Sequence, residues 1–343
     1  MSKIKYTSIG GQALIEGIMM KSPEKTALAV RTPDGGIDIT YMDGKNPSER
    51  PKILRLPIIR GVINFVSSMI QGYKAMMISA DKSGFTDLEE EEKKDDMIDI
   101  SSSSEPEPEP PKKDNSAFVN IIMIIGMVLG VALSIVLFML IPRLVVGGLE
   151  GLFKTEFSKI VRSGIEQLIK LSVFVLYVWL VSFMKDIRRV FMYHGAEHKT
   201  IFCYEAGLVL DVENVRKQSR FHPRCGTSFM ILMILISVII STVVQMIFPK
   251  VYDIGMLWVA IKILLIPLTC GIGYEVLKLC GRYDNALTRI ISAPGLWLQR
   301  ITTKEPDDDM IEIAIAALRA CEPETPDVDR SADIEENNEQ DNI

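Results

Sequence analysis

The sequence is poor in the residues and motifs that mark secreted and nucleic-acid-binding proteins. It has only 3 histidines in 343 residues, and its 5 cysteines form no CxxC pair, so no disulfide framework is indicated. Its basic residues are dispersed and match no recognition motif, so no nucleic-acid partner is expected. The N-terminus, MSKIKYTSIGGQ, lacks the apolar stretch and cleavage pattern of a signal peptide.

Acidic charge is concentrated in two polar segments. Residues 86–114 hold 12 acidic and 4 basic side chains, and residues 322–343 hold 9 acidic and 1 basic. Because the whole chain carries a formal net charge of only −6, the rest of it is basic. A basic fold suits an anionic lipid surface, and the two acidic segments have the composition of disordered chain.

Long apolar stretches dominate the second half of the chain. About 20 apolar residues suffice to cross a bilayer. The stretches that meet or approach this requirement are Ala117–Ile141, Gln167–Met184, Phe229–Phe248 and Met256–Leu277. They predict an α-helical polytopic membrane protein with about four transmembrane helices and a small N-terminal β-containing cytosolic region.

The distribution of Lys and Arg predicts the orientation. Residues 1–80, 185–228 and 278–304 hold 11, 8 and 5 of them, whereas the connections 142–163 and 249–255 hold 4 and 1. Positively charged connections stay in the cytosol. We therefore expect a multi-pass protein of the cell membrane, in contact with the lipid bilayer and with both termini cytosolic.

The remaining segments are assigned from periodicity and composition. Thr26–Thr32 and Ile37–Tyr41, joined by a Pro-Asp-Gly-Gly turn, predict a β-hairpin. The polar residues of the next segment recur at helical spacing, which favours an amphipathic interfacial helix. The predicted regions are 1–55, β-containing; 56–80, interfacial helix; 81–116, acidic disordered linker; 117–281, transmembrane domain with the cytosolic loop 185–228; 282–320, interfacial and cytosolic helices; and 321–343, acidic disordered tail.

All three histidines lie in the predicted cytosolic loop. His194 and His198 are four residues apart, which puts both imidazoles on one face of a helix, as two ligands of one metal require. Glu197 reaches the same face, where a carboxylate can polarise a metal-bound water. The order HxxEH is that of inverzincin metallopeptidases. The pattern predicts a divalent metal site, with zinc as the expected ion; the alternative is a packed or solvated helix face.

Further ligands must come from elsewhere in the loop. His222 and Cys225 lie 24 and 27 residues after His198 and are both candidates, and Glu205 is another. If His222 and Cys225 both bind beside the helical pair, the site is closed and structural; if only one binds, the open position is catalytic. Cys225 also precedes a predicted helix and lies near His222, so a nucleophilic thiol is a second role open to it.

Several strings together resemble the YqhQ-like family of uncharacterised bacterial membrane proteins. They cover roughly residues 4–80 and 117–320, and they are GGQALIEGIMM, LPIIRGVINF, YHGAEHKTIFCYE, HPRCGTSF and APGLWLQRITTKEPDDDMIEIAIAAL. That family is described as predicted metal-dependent enzymes without an established substrate. The resemblance implies a metal role here for His194, Glu197, His198, His222 and Cys225.

Three classes of function follow from these patterns. The favoured class is metal-dependent hydrolysis of a lipid-linked or membrane-protein group at the cytosolic face, with Glu197 as the catalytic base. The alternative is a non-catalytic assembly or regulatory protein with a structural metal. A transporter is less favoured, because the spans are few and no inverted repeat is evident.

Overall fold

The protein is predominantly helical, with a four-stranded antiparallel sheet near its N-terminus. The computed structural model describes residues 7, 9–42, 51–85, 116–250, 255–283 and 285–322. The predicted acidic linker and tail lie almost entirely outside these described residues. The chain divides into two compact units, Met1–Glu89 with Val181–Met233 and Ile266–Ile343, and Glu90–Leu180 with Ile234–Leu265.

Helices follow the sheet along the chain. A 3₁₀ turn, Lys52–Arg55, precedes the first of them, and a π-helical segment, Val136–Leu140, joins the second to the third. The helices are α1 Ile59–Lys82, α2 Ser116–Ile135, α3 Ile141–Phe153, α4 Lys159–Val181, α5 Lys185–Glu205, α6 Val212–Arg216, α7 Gly226–Ile247, α8 Gly255–Leu264, α9 Ile266–Arg282, α10 Ala286–Thr302 and α11 Asp308–Cys321.

The sheet is an up-and-down meander of strands in sequence order. Its strands are β1 Gly10–Leu14, β2 Gly17–Lys21, β3 Thr26–Arg31 and β4 Ile37–Met42. The predicted hairpin is confirmed as β3 and β4, which pair with Thr26 opposite Met42. The strand pair β1–β2 lies in the same predicted β-containing region, on the N-terminal side of the hairpin.

Both faces of the central strands are buried, which explains why β2 and β3 are almost continuously apolar. Ile18 and Met20 point into one core, which also contains residues of α5 and α11. Met19 and Leu28 point the other way, into a smaller core that Ala75 of α1 completes. The sheet is therefore the middle layer of the first unit.

Helix α1, Ile59–Lys82, lies where a helix was predicted at residues 56–80. In most surface helices the apolar face is packed and the polar face is exposed, but in α1 the two faces are exchanged. Its polar stripe is the side that makes contacts, since Arg60 pairs with Glu275 and Asn64 donates to the hydroxyl of Tyr274 at 2.9 Å. Its apolar stripe is exposed, at Val66, Met69, Ile70, Tyr73 and Met77. An exposed apolar face suits a helix at a membrane surface.

Three helices among the described residues are long and apolar enough to cross a membrane. They are Val128–Phe153, Lys159–Val181 and Gly226–Ile247. Each overlaps one of the first three predicted spans, and the first runs to Phe153, past the predicted end at Ile141. The two later ones extend the second and third predictions at their N-terminal ends.

The fourth predicted span, Met256–Leu277, is not one helix. It is divided at Leu265 into α8 and α9, and neither part alone has the length of a span. Pro267 explains the break, because proline removes a helical hydrogen bond and its ring clashes with the carbonyl four residues earlier. The described residues thus contain three candidate spans and a broken helical segment where a fourth was predicted.

Candidate metal centre

Helix α5 runs through the core of the first unit and carries His194, Glu197 and His198. Every residue from Tyr193 to Ile201 on this helix is buried. The helix ends at Glu205 with Ala206 as its C-cap, and the following Gly207 adopts a φ of +69°, the left-handed conformation that glycine tolerates at helix ends. The i,i+4 spacing puts the two imidazoles on one face of the helix, as the sequence predicted, where they meet edge to face with ring centroids 4.4 Å apart.

The structure brings His194, His198 and Cys225 together. One ligand atom from each of these residues lies within 4.8 Å of the others. The Nε2 atom of His194 is 3.1 Å from the Sγ atom of Cys225. Tetrahedral zinc, with bonds of about 2.0 Å to nitrogen and about 2.3 Å to sulfur, sets neighbouring ligand atoms roughly 3.5 Å apart. The group could therefore hold a metal ion.

Backbone carbonyls fix the tautomers of both histidines. The Nδ1 atom of His194 lies 2.9 Å from the carbonyl oxygen of Thr302, and that of His198 lies 2.6 Å from the carbonyl oxygen of Arg220. A carbonyl only accepts, so each Nδ1 carries a proton, and Nε2 is the nitrogen of each ring that is left to face the group. The buried Nε2 atom of His198 has no hydrogen-bond partner among the described residues. Histidines held in this way are the usual form of metal ligands.

Cys225 lies in the turn that starts α7. Its backbone N–H donates to the carbonyl of His222 at 3.3 Å, and the N–H of Thr227 donates to its sulfur at 3.4 Å. Burial acts to raise the pKa of this thiol, but His194 and His198 outweigh burial and hold the pKa well below its usual value. In the same pair, burial acts to lower the pKa of His194, and the attraction of Cys225 raises it to about 9. The geometry therefore favours a thiolate.

Glu197 directly precedes His198 on α5, and its side chain lies beside the same group. It is 5% exposed, and its Oε2 atom has no hydrogen-bond partner within the described parts of the chain. Burial raises its pKa, while the two imidazoles and a bond from the N–H of Gly11 act to lower it. Gly11 is closely packed here, since a Cβ on it would lie 3.0 Å from the Glu197 side chain. An orphaned, buried carboxylate beside three ligand atoms is suited to a cation or to water on a cation.

His222 and Glu205 lie outside the group of three. The His222 ring packs on Phe202 with centroids 4.8 Å apart, and burial, together with nearby cationic groups, lowers its pKa to about 2. Glu205 accepts hydrogen bonds from Thr7 and is paired with Arg224. Both side chains thus support the walls of the site, and the three-residue group does not include them.

Two residues of the N-terminal region, Glu16 and Gln12, contact α5 and α1 without joining the group. Glu16, at the tip of the β1–β2 turn with a φ of +50°, holds Arg189 in an ion pair and accepts from the hydroxyl of Tyr193 at 3.1 Å. The side chain of Gln12 lies against Gly72, where a Cβ would be only 2.3 Å away. These contacts fasten the sheet to the helices that surround the site.

Four residues that shape the site were not identified from the sequence. Thr302 and Arg220 contribute backbone carbonyls, and Gly11 contributes a backbone N–H, so their side-chain types carry no signal. Gln299 is fully buried, accepts from the backbone N–H of His222 and donates to its carbonyl, both at 2.7 Å. A buried glutamine within the amphipathic string PGLWLQRIT was the one available indication.

Comparison with known proteins assigns the chain to a family without assigning an activity. It is 34% identical over 327 residues to the uncharacterized protein YqhQ of Bacillus subtilis (strain 168), with 93% of each chain covered. No solved structure matches it. Neither the relative nor the family carries a description as a metal-dependent enzyme, so that part of the resemblance gains no support. Residues 56–324 match the model of a family described as proteins of unknown function (DUF1385), and the chain belongs to that family.

Proposed function

We propose that this membrane protein holds one divalent cation, zinc, between His194, His198 and Cys225. One observation carries the proposal: both histidines donate Nδ1–H to backbone carbonyls, which directs their Nε2 lone pairs toward the buried cysteine. Imidazole nitrogen and thiolate sulfur are preferred zinc ligands. Without a metal, the Nε2 atom of His198 is a buried polar atom that has no hydrogen-bond partner among the described residues, which is unfavourable.

The proposed activity is hydrolysis of a membrane-associated substrate, with Glu197 as the general base. Three protein ligands leave one position of a tetrahedral shell open, which is the arrangement of catalytic zinc sites. Zinc supplies a lowered pKa for the water that it binds. Glu197 is placed to take the proton, because its Oε2 is free and its other contacts anchor it to β1. A structural metal in an assembly protein is the alternative.

The shared core supports a cytosolic site with both termini on the same side. Strands β2 and β3, helix α5 and helix α11 contribute to one hydrophobic cluster, so they lie on one side of the membrane. After α5 the chain departs through the candidate span Gly226–Ile247 and must return before α11 begins. The broken segment α8–α9 is the part available for that return. The excess of Lys and Arg indicates that the shared side is cytosolic.

The test combines metal analysis with genetic complementation. Purified wild-type protein should contain about one zinc ion per chain, and His198→Ala should lose most of it. Glu197→Gln keeps the size of the side chain but removes the base, so it should retain zinc and fail to complement a deletion strain. Glu213→Gln is the matched control, because the Glu213 side chain is 76% exposed and lies on α6.

The outcomes of these measurements distinguish a catalytic metal from a structural one. Complementation by Glu197→Gln at the wild-type level would end the hydrolase proposal and leave a structural metal. Absence of stoichiometric metal from wild type would end both. Loss of metal in Glu197→Gln would instead make Glu197 a ligand.

A second candidate function rests on the same contacts without a metal. The His194 Nε2 atom lies 3.1 Å from Cys225 Sγ, and the Thr302 carbonyl orients the imidazole from its other side. This is the arrangement of a cysteine nucleophile with its base and an orienting group. A metal-free wild type in which Cys225→Ser fails to complement and Glu197→Gln succeeds would favour it.

A further inference from the structure

Helix α10 has two faces of different character. Its inner face, formed by Gly295, Leu298, Gln299 and Thr302, is buried. Its outer face is apolar and exposed: Leu287 is 65%, Ile290 69% and Trp297 58% exposed. Ala293 and Pro294 fill the space between them, so the stripe is continuous at helical spacing.

The inner face of α10 packs against the start of a candidate span, and this contact sets the level of α10 relative to the span. A Cβ on Gly295 would lie 2.5 Å from the side chain of Ser228, so the two helices touch there. Gln299 also donates to the Ser228 hydroxyl at 2.9 Å. Ser228 is the third residue of α7, which starts the candidate span Gly226–Ile247. Helix α10 therefore lies at the level where that span begins.

The outer face has the chemistry of the membrane boundary. Trp297 is an amphipathic ring of the kind that concentrates at headgroup level. Arg289 and Arg300 are exposed along one edge of the apolar stripe, where they can meet lipid phosphates. Asn285 caps the start of the helix with a capping box, so α10 begins at Ala286.

The inner face is also a wall of the candidate metal centre. The carbonyl of Thr302 accepts from Nδ1 of His194, and Gln299 holds the backbone of His222 on both its N–H and its carbonyl. One helix thus has its apolar stripe on one side and, on the other, two of the groups that orient the histidines.

We propose that α10 lies in the plane of the membrane, with Leu287, Ile290 and Trp297 in contact with phospholipid acyl chains. The bilayer covers this face, because the face lies at the same level as the start of a candidate span and has arginines beside it. The metal centre then sits one helix thickness behind the headgroup layer. If the proposed hydrolysis takes place at this centre, the position of α10 identifies the substrate class. The substrate is a lipid or lipid-linked molecule whose reacting group lies at the level of the headgroups.

Tryptophan fluorescence tests the docking directly. The chain has 3 tryptophans, so Trp179→Phe with Trp258→Phe leaves Trp297 as the only emitter. In phosphatidylcholine–phosphatidylglycerol vesicles, lipids brominated near the headgroup should lower its emission about two-fold, and lipids brominated at the chain ends should lower it much less. Acrylamide in the aqueous phase should quench it weakly.

Two reference proteins calibrate the result. Trp179 alone, 46% exposed on the span α4, should respond to lipids brominated in the chains. Tyr41→Trp in a background without other tryptophans places an emitter on β4, where Tyr41 is 63% exposed, and it should respond to acrylamide alone. If the double substitution impairs insertion, the difference between wild type and Trp297→Phe gives the same information.

Quenching of Trp297 by acrylamide but not by brominated lipid would overturn the proposal, because the stripe would then lie in water. Quenching by neither would overturn it too, since another protein surface would cover the stripe. None of these measurements uses zinc, so a metal-free protein would refute the proposed function without affecting the quenching result.

Discussion

Gly195→Ala is expected to destabilise the protein and to weaken its metal centre at the same time. A Cβ on Gly195 would lie 2.0 Å from the carbonyl oxygen of Lys304, whereas ordinary contacts begin at 3.4 Å. The obstacle is backbone, so the segment after α10 must move by more than 1 Å rather than a side chain turning aside. That segment is held by the bond from the N–H of Lys304 to the carbonyl of Phe191 and by the bond between Thr302 and His194.

The magnitude follows from opposing contributions. Overpacking costs about 1–3 kcal/mol, and each of the two strained hydrogen bonds contributes about 1 kcal/mol. Replacing glycine by alanine inside a helix returns about 1 kcal/mol. The net expectation is a loss of about 2–4 kcal/mol in the free energy of unfolding. Zinc content should also fall, because the Thr302 carbonyl would no longer orient His194.

Thermal unfolding in detergent, with zinc content measured on the same samples, is the assay. Gly164→Ala is the control, because Gly164 lies inside α4 and a Cβ there meets no atom within 4 Å. It should leave the melting temperature unchanged or raise it. A Gly195→Ala protein that melts at or above the wild-type temperature would refute the close packing of α5 on the 302–306 segment.

Further predictions address the ligands, the support of the site and the topology. His222→Ala should retain zinc, because its ring lies outside the ligand group; zinc loss comparable to that of His198→Ala would restore it as a ligand. Gln299→Leu should lower the free energy of unfolding by about 2–4 kcal/mol, because two buried backbone groups of His222 lose their partners; an unchanged melting temperature would contradict this. Cysteines introduced at residues 100, 213 and 330 should react from the cytosol, and one at residue 155 from outside, since the Glu213 side chain is exposed; positions 100 and 213 on opposite sides would exclude the proposed topology.

Local patterns in the sequence were sufficient for the membrane class, three candidate spans and the helix face that carries His194 and His198. Apolar runs near 20 residues have few alternatives to crossing a bilayer, because unpaired backbone groups are too costly in lipid. The spacing of His194 and His198 likewise fixes their common face once the segment is helical. The hairpin of β3 and β4 followed from its turn residues, which act locally.

The broken fourth stretch shows where such patterns are insufficient. Met256–Leu277 is apolar enough to suggest one span, yet Pro267 divides it into α8 and α9. Its Glu275 is paired with Arg60, more than two hundred residues earlier in the chain. Composition averages over a window and does not register a single missing backbone N–H.

The sequence by itself offered both Cys225 and His222 as candidate ligands, and only the tertiary structure placed Cys225 in the group of three without His222. The selection depends on the turn that directs the sulfur of Cys225 at His194 while the ring of His222 packs on Phe202. The groups that orient the histidines are carbonyls of Thr302 and Arg220, and every residue has a carbonyl, so no sequence pattern can reveal them. Their role exists only because α10 and the 217–225 loop pack against α5, and such contacts between distant segments follow from the fold rather than from local sequence.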